Sequence, residues 1–424
     1  AAQTLTKTLN MAHFTNSQIH FAKLPKIDAS NLKFDYKIWL SQLDPNIYLS
    51  EISLPGSALT FSYKLSEDYQ KTQTLDLTKQ FENGIRVFQF HVNTVNQTST
   101  YDGGSTSVGI ALPGGDPMKN GDRYYTIEDV IDALNAEMKG IHKDEFCVVA
   151  ISDYISNNPP TEDMQLLYQR LKAVLNKAGE KGLVATNVSP NTTIDDVKGK
   201  VIFKVQLNGS KSKYYSIWNE LNGADLWMNI FDDVANDNVY YSQMPFKTVP
   251  ATNASGTSAN VLSNNGMNFI YSEEAEPITR NYGLVGDFVY KDGIKKCATN
   301  VLAAYADNYN SSEHRNFSMT YLGGQGKKKK TSSDTYLPSK IAQDLNTIWL
   351  SYIRANTQNT TDVLRTKPWG WVMLNCVGTE PTTSWCIEAV IRHNADPVFK
   401  HQRRSEKVRH SGDTQGTTNG GSIF

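Results

Sequence analysis

The stretch EISLPGSALTFSY, Glu51 to Tyr63, decides the fold. Ile52, Ser53 and Leu54, stopped by Pro55-Gly56, predict a short buried strand ending in a turn. In barrel enzymes such strand ends carry the chemistry. Here the turn continues as Ser57-Ala58-Leu59, which brings no group that titrates near neutrality.

Working outward, strand-like and helix-like segments alternate. GIRVFQFHVN (Gly84 to Asn93) predicts a second strand, and TSVGIALPG (Thr106 to Gly114) a weaker one. TIEDVIDALNAEMKGI predicts a helix capped by Thr126 with acids in its first turn. FCVVAISDYI is a continuous apolar strand, PTEDMQLLYQRLKAVLNKAG an amphipathic helix, and KVIFKVQ (Lys200 to Gln206) the next strand. After a break the order resumes with NFSMTYLGG (Asn316 to Gly324), the helix LPSKIAQDLNTIWLSYIRAN, the strand WGWVMLNCVG and the helix SWCIEAVIRHN. Apolar strands alternating with helices imply a parallel sheet covered on its outer face.

The chain divides into an N-terminal extension (1–38), a first part of a barrel (39–207), a loop-rich insertion holding one barrel strand (208–300), a last part of the barrel (301–399) and a disordered polar tail (400–424). Its 424 residues suit one large domain with insertions. A formal net charge of −1 gives no global pull toward nucleic acid or an anionic membrane, so any such attraction is local. No apolar run approaches the roughly 20 residues that span a bilayer. The small residues that open the sequence fit a cleaved signal peptide, and hence a secreted or cell-envelope protein, as well as a cytosolic start. Cys147, Cys297, Cys376 and Cys386 form no CxxC pair, which argues against zinc or a redox motif. A bond between Cys376 and Cys386 stays open.

WLSQLDPNIYLSEISLPG resembles the opening of the bacterial phosphatidylinositol-specific phospholipase C family, where a Trp and a Leu-Asp precede an Ile-Ser-Leu-Pro-Gly strand. NGIRVFQFHV is similar to that family's second strand, FCVVAIS to its fourth and PWGWVMLNCV to its last. The resemblance covers roughly Trp39 to Gln206 and Asn316 to Asn394. It implies an irregular, incompletely closed (β/α)8 barrel of the TIM type with a long insertion.

The resemblance also implies which positions bear chemistry. The family's first strand ends in Pro-Gly-Thr-His-Asp, whose His is the general base; a second His after strand three is the general acid. Two imidazoles suit a reaction that moves protons on both sides of a phosphorus near neutral pH. An Arg in an Asp-Ile-Arg sequence on strand two stabilises the phosphoryl oxygens. In this sequence Ser57-Ala58-Leu59 stands for Thr-His-Asp, and Gln89-Phe90-His91 stands for Asp-Ile-Arg. No histidine lies near STSVGIALPGG, and the carboxylate of the last strand is replaced by Asn375. Of the family's usual catalytic groups none is present, and Ala58, His91 and Asn375 are expected at one end of one barrel. Ala58 also has a plain structural role open to it, packing under a loop.

Other residues qualify as binding groups. His91 is titratable, Asp153 ends strand four, and Lys327, Lys328, Lys329 and Lys330 follow the glycine-rich GGQG where barrels bind phosphate. An exposed charge run and an anion clamp both fit the four lysines. Glu273, Glu274 and Glu276 show no metal-ligand spacing, so neither metal nor cofactor is implied. Tyr214, Tyr215, Trp218, Trp227, Tyr240 and Tyr241 suit stacking on sugar or cyclitol rings, a lipid interface, or packing of the insertion. The basic KHQRRSEKVRH comes with no nucleic-acid fold signature. Two functions follow: an impaired phospholipase C-like barrel that binds a phosphate-bearing small molecule, phosphoinositide headgroup or glycan, with a membrane surface as partner; or a divergent phosphoric diester hydrolase or lyase that has recruited His91 and acidic residues.

Overall fold

The computed structural model describes residues 35–111, 116–140, 143–153, 161–186, 188, 191–206, 246–250, 258–264, 267–271, 315–323, 327–328 and 335–404. Its strands are β1 (Leu54–Ser57), β2 (Val87–Val95), β3 (Ser107–Ala111), β4 (Lys119–Asn120), β5 (Arg123–Tyr124), β6 (Cys147–Asp153), β7 (Val201–Gln206), β8 (Phe246–Pro250), β9 (Ser258–Asn264), β10 (Met267–Tyr271), β11 (Arg315–Leu322), β12 (Lys327–Lys328), β13 (Thr335–Tyr336) and β14 (Trp371–Leu374). The helices are α1 (Leu77–Glu82), α2 (Ile127–Met138), α3 (Thr161–Glu180), α4 (Ile194–Val197), α5 (Pro338–Ala355), α6 (Val363–Thr366) and α7 (Pro381–His393).

The sheet runs β7-β6-β2-β1-β14-β11-β10-β9-β8, with every pair from β7 to β10 parallel. The first strand therefore lies against the last, which is the seam at which a (β/α) barrel closes. Among the described residues the far side of β7 carries only a short parallel bridge, Val184 to Val201, and no further strand of the sheet. The fold is an irregular α/β barrel, as expected. β1 and β14 are buried along their whole length, whereas β2 alternates: Phe88, Phe90 and Val92 are buried, and Gln89, His91 and Asn93 are partly exposed. The buried row faces the helices and the polar row faces the barrel interior.

Local chemistry explains the helix starts. Thr126 and Asp129 form a capping box on α2, as Thr193 and Asp196 do on α4. Pro338 and Pro381 open α5 and α7, where a missing N–H costs nothing. Gly56 has to be glycine, because a Cβ there would lie 2.4 Å from the Met373 sulfur on β14.

Two expectations change. The segment 107–111 is no barrel strand: β3 pairs antiparallel to β2, with His91 opposite Ala111. The connection 96–106 contains no helix, and a parallel return needs a dozen or more residues, usually helical, to cross the sheet. Residues 400–404, which the sequence placed in the tail, are held to the fold. Arg403 bridges to Ile47, Arg404 N donates to Asn46 O at 2.8 Å, and the two guanidinium groups pair with Asp44 and Asp196, each at 2.8 Å. These two arginines of the basic segment thus stitch residues 403–404 to residues 44–47 and to Asp196. Within 208–300, Met267–Tyr271 pairs parallel to β11, and Ser258–Asn264 pairs antiparallel to Met267–Tyr271. Most of NVYYSQMPF lies outside the described residues, as do all six aromatic residues and three glutamates singled out there.

Candidate functional site

Ala58, His91 and Asn375 all lie at or beyond the carboxyl ends of neighbouring parallel strands. The pairs Ser57↔Leu374 and Ser57↔Phe88 put Ala58 beside Asn375 and level with Gln89, with His91 two residues further along β2. All three therefore share one end of the barrel strands.

At Ala58 the mouth is filled. Ala58 is 2% exposed; its N–H donates to Leu374 O at 2.9 Å, and its carbonyl accepts from Thr72 Oγ1 at 2.7 Å and Gln73 Nε2 at 2.9 Å. Gln73 also donates to Leu374 O at 2.7 Å and accepts from Val377 N at 3.1 Å. One buried amide thus ties together the turns that follow β1 and β14. Hydroxyls complete the plug, with Ser57 Oγ and Thr60 Oγ1 2.6 Å apart, and Ser62 Oγ and Thr72 Oγ1 2.7 Å apart. Leu59 has a left-handed backbone, φ 47°, and its N–H donates to Gln89 Oε1 at 3.1 Å. A Gln73→Leu variant should lose about 1–3 kcal/mol of stability for the carbonyls stranded in a dry site, measured by urea unfolding.

Asn375 is fully buried as well. Its Nδ2 donates to Pro338 O at 3.1 Å and its carbonyl accepts from Thr383 Oγ1 at 2.7 Å, fastening β14 to the starts of α5 and α7. Gly323 crosses so closely that a Cβ would fall 2.1 Å from Asn375 Oδ1.

His91 borders this plug. It lines a shallow dent of about 270 Å³, part of it open solvent, with Leu59, Phe61, Ser62, Gln89, Phe90, Ile110, Ala111 and Met118. Beside it, Phe61 contacts Tyr63, Phe90 and Tyr125, each with ring centroids 5.4 Å apart. Asp153 closes β6 opposite Val92. Lys327 and Lys328 belong to a small hairpin with Thr335 and Tyr336, while Lys329 and Lys330 lie outside the described residues. The register does not bring this hairpin into the main sheet. Cys376 and Cys386 are both free and buried, and burial pushes both thiols up, Cys376 to about 12. Among the described residues no cluster of three His, Cys, Asp or Glu side chains could hold a metal.

The sequence pattern missed Lys204. It is 3% exposed on β7, and the pairs Gln89↔Ala150 and Ala150↔Lys204 place it in the same interior row as Gln89. Burial pulls its pKa down to about 7. The signal was a single lysine inside the apolar run VIFKV, a residue type almost never fully buried without a purpose.

The fold is that of the phosphatidylinositol-specific phospholipase C-type barrels, and the comparisons with known proteins agree. Over 195 residues the chain is 24% identical to the 1-phosphatidylinositol phosphodiesterase of Staphylococcus aureus strain Newman, a match covering 44% of this chain and 57% of that protein. The counterpart from strain NCTC 8325 / PS 47 is likewise 24% identical, with 54% of its length covered. The matched segment thus spans little more than half of these relatives. Among solved structures, a double mutant of the phosphatidylinositol-specific phospholipase C from S. aureus aligns over 86% of this chain and 98% of its own, with a TM-score of 0.55 and 16% identity. A structure of that enzyme concerned with modulation of its membrane binding gives a TM-score of 0.53 and 16% identity over 86% and 99%. At such identities the structural likeness carries the fold alone. No family profile matches the chain. No helix among the described residues is long and apolar enough to cross a membrane.

Proposed function

We propose that this chain is a catalytically impaired phospholipase C-like barrel that binds a phosphate-bearing or polyol ligand at its mouth, a phosphoinositide headgroup or glycan being the ligand class. The supporting observation is Ala58. At the turn where the resemblance puts the general base stands a side chain without acid–base chemistry, buried, with both its peptide groups committed. Losing a general base costs on the order of 10²–10⁴-fold in rate. Binding needs less than catalysis does: a cation and some hydrogen-bonding groups. Lys204 supplies a buried amine on the interior row, His91 borders the dent, and Asp153 and Lys327 to Lys330 complete the set. The reading includes a secreted or cell-envelope location and work at a membrane surface.

Release of cyclic inositol phosphate from phosphatidylinositol vesicles, with and without divalent metal, tests the first half. The expected rate is at least about 100-fold below that of an active relative; comparable turnover overturns impairment. Calorimetric titration with inositol phosphate tests the second half. Binding should weaken at high salt, because exposed charges are screened over about 8 Å at physiological ionic strength. Equal binding by the wild type and a variant with Lys327, Lys328, Lys329 and Lys330 changed to alanine removes those lysines from the site. Because His91 is partly exposed at the dent, a second reading stands beside the first, a divergent hydrolase or lyase. Turnover that disappears in His91→Gln would establish it instead.

A further inference from the structure

The plug in the mouth belongs to the connection from β1 to α1, residues 58–76, and the second half of that connection buries almost nothing apolar. No apolar side chain between Leu65 and Leu77 is buried; Ser66, Glu67 and Asp68 are exposed, and Tyr69, Gln70 and Lys71 are half-exposed. What goes inward is polar. Thr72 and Gln73 are fully buried; Ser62 Oγ lies 2.7 Å from Thr72 Oγ1 and accepts from Gln73 N at 2.9 Å. Hydrogen bonds of this kind add little net stability, because water replaces them when the segment lifts. A segment with few buried apolar contacts opens at low free energy.

Strain works in the same direction. Among the described residues, the non-glycine residues with positive φ are Leu59, at 47°, and Cys376, at 55°. The pair Ser57↔Leu374 sets them level, each two residues beyond it. Twin left-handed kinks thus stand side by side past the ends of neighbouring strands. A side chain with a Cβ is crowded in that region, and such a backbone persists only where its surroundings enforce it. Thr72 and Gln73 enforce both kinks. The Ala58 carbonyl, in the peptide that leads into Leu59, accepts from Thr72 Oγ1 at 2.7 Å and from Gln73 Nε2 at 2.9 Å. Cys376 N donates to Thr72 O at 2.7 Å, and Val377 N donates to Gln73 Oε1 at 3.1 Å.

We propose that residues 66–74 are a strained lid, which opens without unfolding the barrel by withdrawing Thr72 and Gln73 from the mouth. Withdrawal lets both kinks relax, and that relief offsets part of the cost of the lost hydrogen bonds. It takes their partners from the Ala58 carbonyl, the Ser62 hydroxyl and the N–H groups of Cys376 and Val377, which become acceptors and donors for a hydroxyl-bearing ligand. The use of the lid, admitting a ligand to a mouth that is otherwise filled, rests on the proposed function. The motion itself does not.

Native-state amide exchange tests it. Protection of the Gln73, Cys376 and Val377 amides should be at least about 100-fold lower than that of Leu54, Arg86 and Val148, whose bonds join the strands at their amino ends. Equal protection means that the mouth opens only when the barrel unfolds, and overturns the lid. Leu59→Asn relieves the strain, since asparagine accepts the left-handed region, and should raise protection of the three amides about fivefold. Leu59→Ala keeps the Cβ and should not raise it. An equal rise in both variants, or none in either, overturns the strained lid. If Leu59→Asn folds poorly, Cys376→Gly makes the same test at the other kink. Inositol phosphate added to the wild type should lower protection of the same amides, as a ligand of the open form does. No response to it, with the first two results standing, counts against the proposed ligand and leaves the lid in place.

Discussion

Arg86→Ala will lower the free energy of unfolding by about 3–5 kcal/mol, the scale set when one partner of a buried ion pair is removed. Arg86 and Glu145 are both fully buried, 2.8 Å apart, at the amino ends of β2 and β6. The arginine does more than neutralise its partner. Nη1 donates to Phe81 O and Ile85 O, and Nη2 to Tyr36 O and Lys37 O as well as to Glu145. Its guanidinium also lies 3.8 Å from the centre of the Phe81 ring. Truncation takes a donor from four carbonyls, of which Phe81 O keeps the Gly84 N–H, and leaves the Glu145 carboxylate with only backbone donors such as Leu40 N–H. Burial already pushes the Glu145 pKa up, and Arg86 is the main opposing charge. Without it, Glu145 takes up a proton or pays the full cost of a buried charge.

The loss should show in urea unfolding as a lower midpoint at unchanged slope. A double variant, Arg86→Met with Glu145→Leu, separates the pair from the carbonyls. Were the ion pair the whole of the interaction, apolar replacement would be close to neutral. With the carbonyls of Ile85, Tyr36 and Lys37 still deprived of the Arg86 donors, the double variant should stay below wild type. Recovery to wild-type stability would show that the carbonyl bonds contribute little.

The same arginine shows how far sequence carries. ISLPG and the alternation of strands and helices were enough to find the barrel, because apolar periodicity is local and the first block admits no gap. The end of β1 was legible too: Ala58 follows from counting two residues past Gly56. What Arg86 does was not legible. Its partners come from residues 36–37, 81, 85 and 145, and only the folded register brings them together. The filling of the mouth was hidden for a like reason. Gln73 reaches Ala58 and Leu374 from a polar loop that no hydrophobic pattern marks. The β3 segment misled because a short apolar run looks the same whether its strand runs parallel or antiparallel. The length and lack of helix in 96–106 were the better evidence.

Lys204→Met will be more favourable to stability at pH 6 than at pH 10, and, on the proposed function, it will weaken the binding of inositol phosphate. Burial takes the Lys204 pKa from the usual lysine value of 10.5 to about 7 in the folded chain. In the unfolded chain it returns to the ordinary value. Between those two limits the unfolded state holds more protons, so stability rises with pH across that window. Below about pH 7 the folded protein carries the full cost of a buried ammonium, at about 1.4 kcal/mol per pKa unit of depression. Methionine removes that cost and fills much the same volume. The gain measured by urea unfolding should therefore be largest at pH 6 and small at pH 10. A gain that does not change with pH would mean that better packing, and not the charge, is responsible. A loss at pH 6 would mean that the ammonium is well paired inside the barrel. On the proposed function, the cost of burying this amine is offset by the anion it holds. Inositol phosphate, titrated into both proteins at low salt, is the matching measurement, and undiminished binding by the variant would leave Lys204 with a cost and no function.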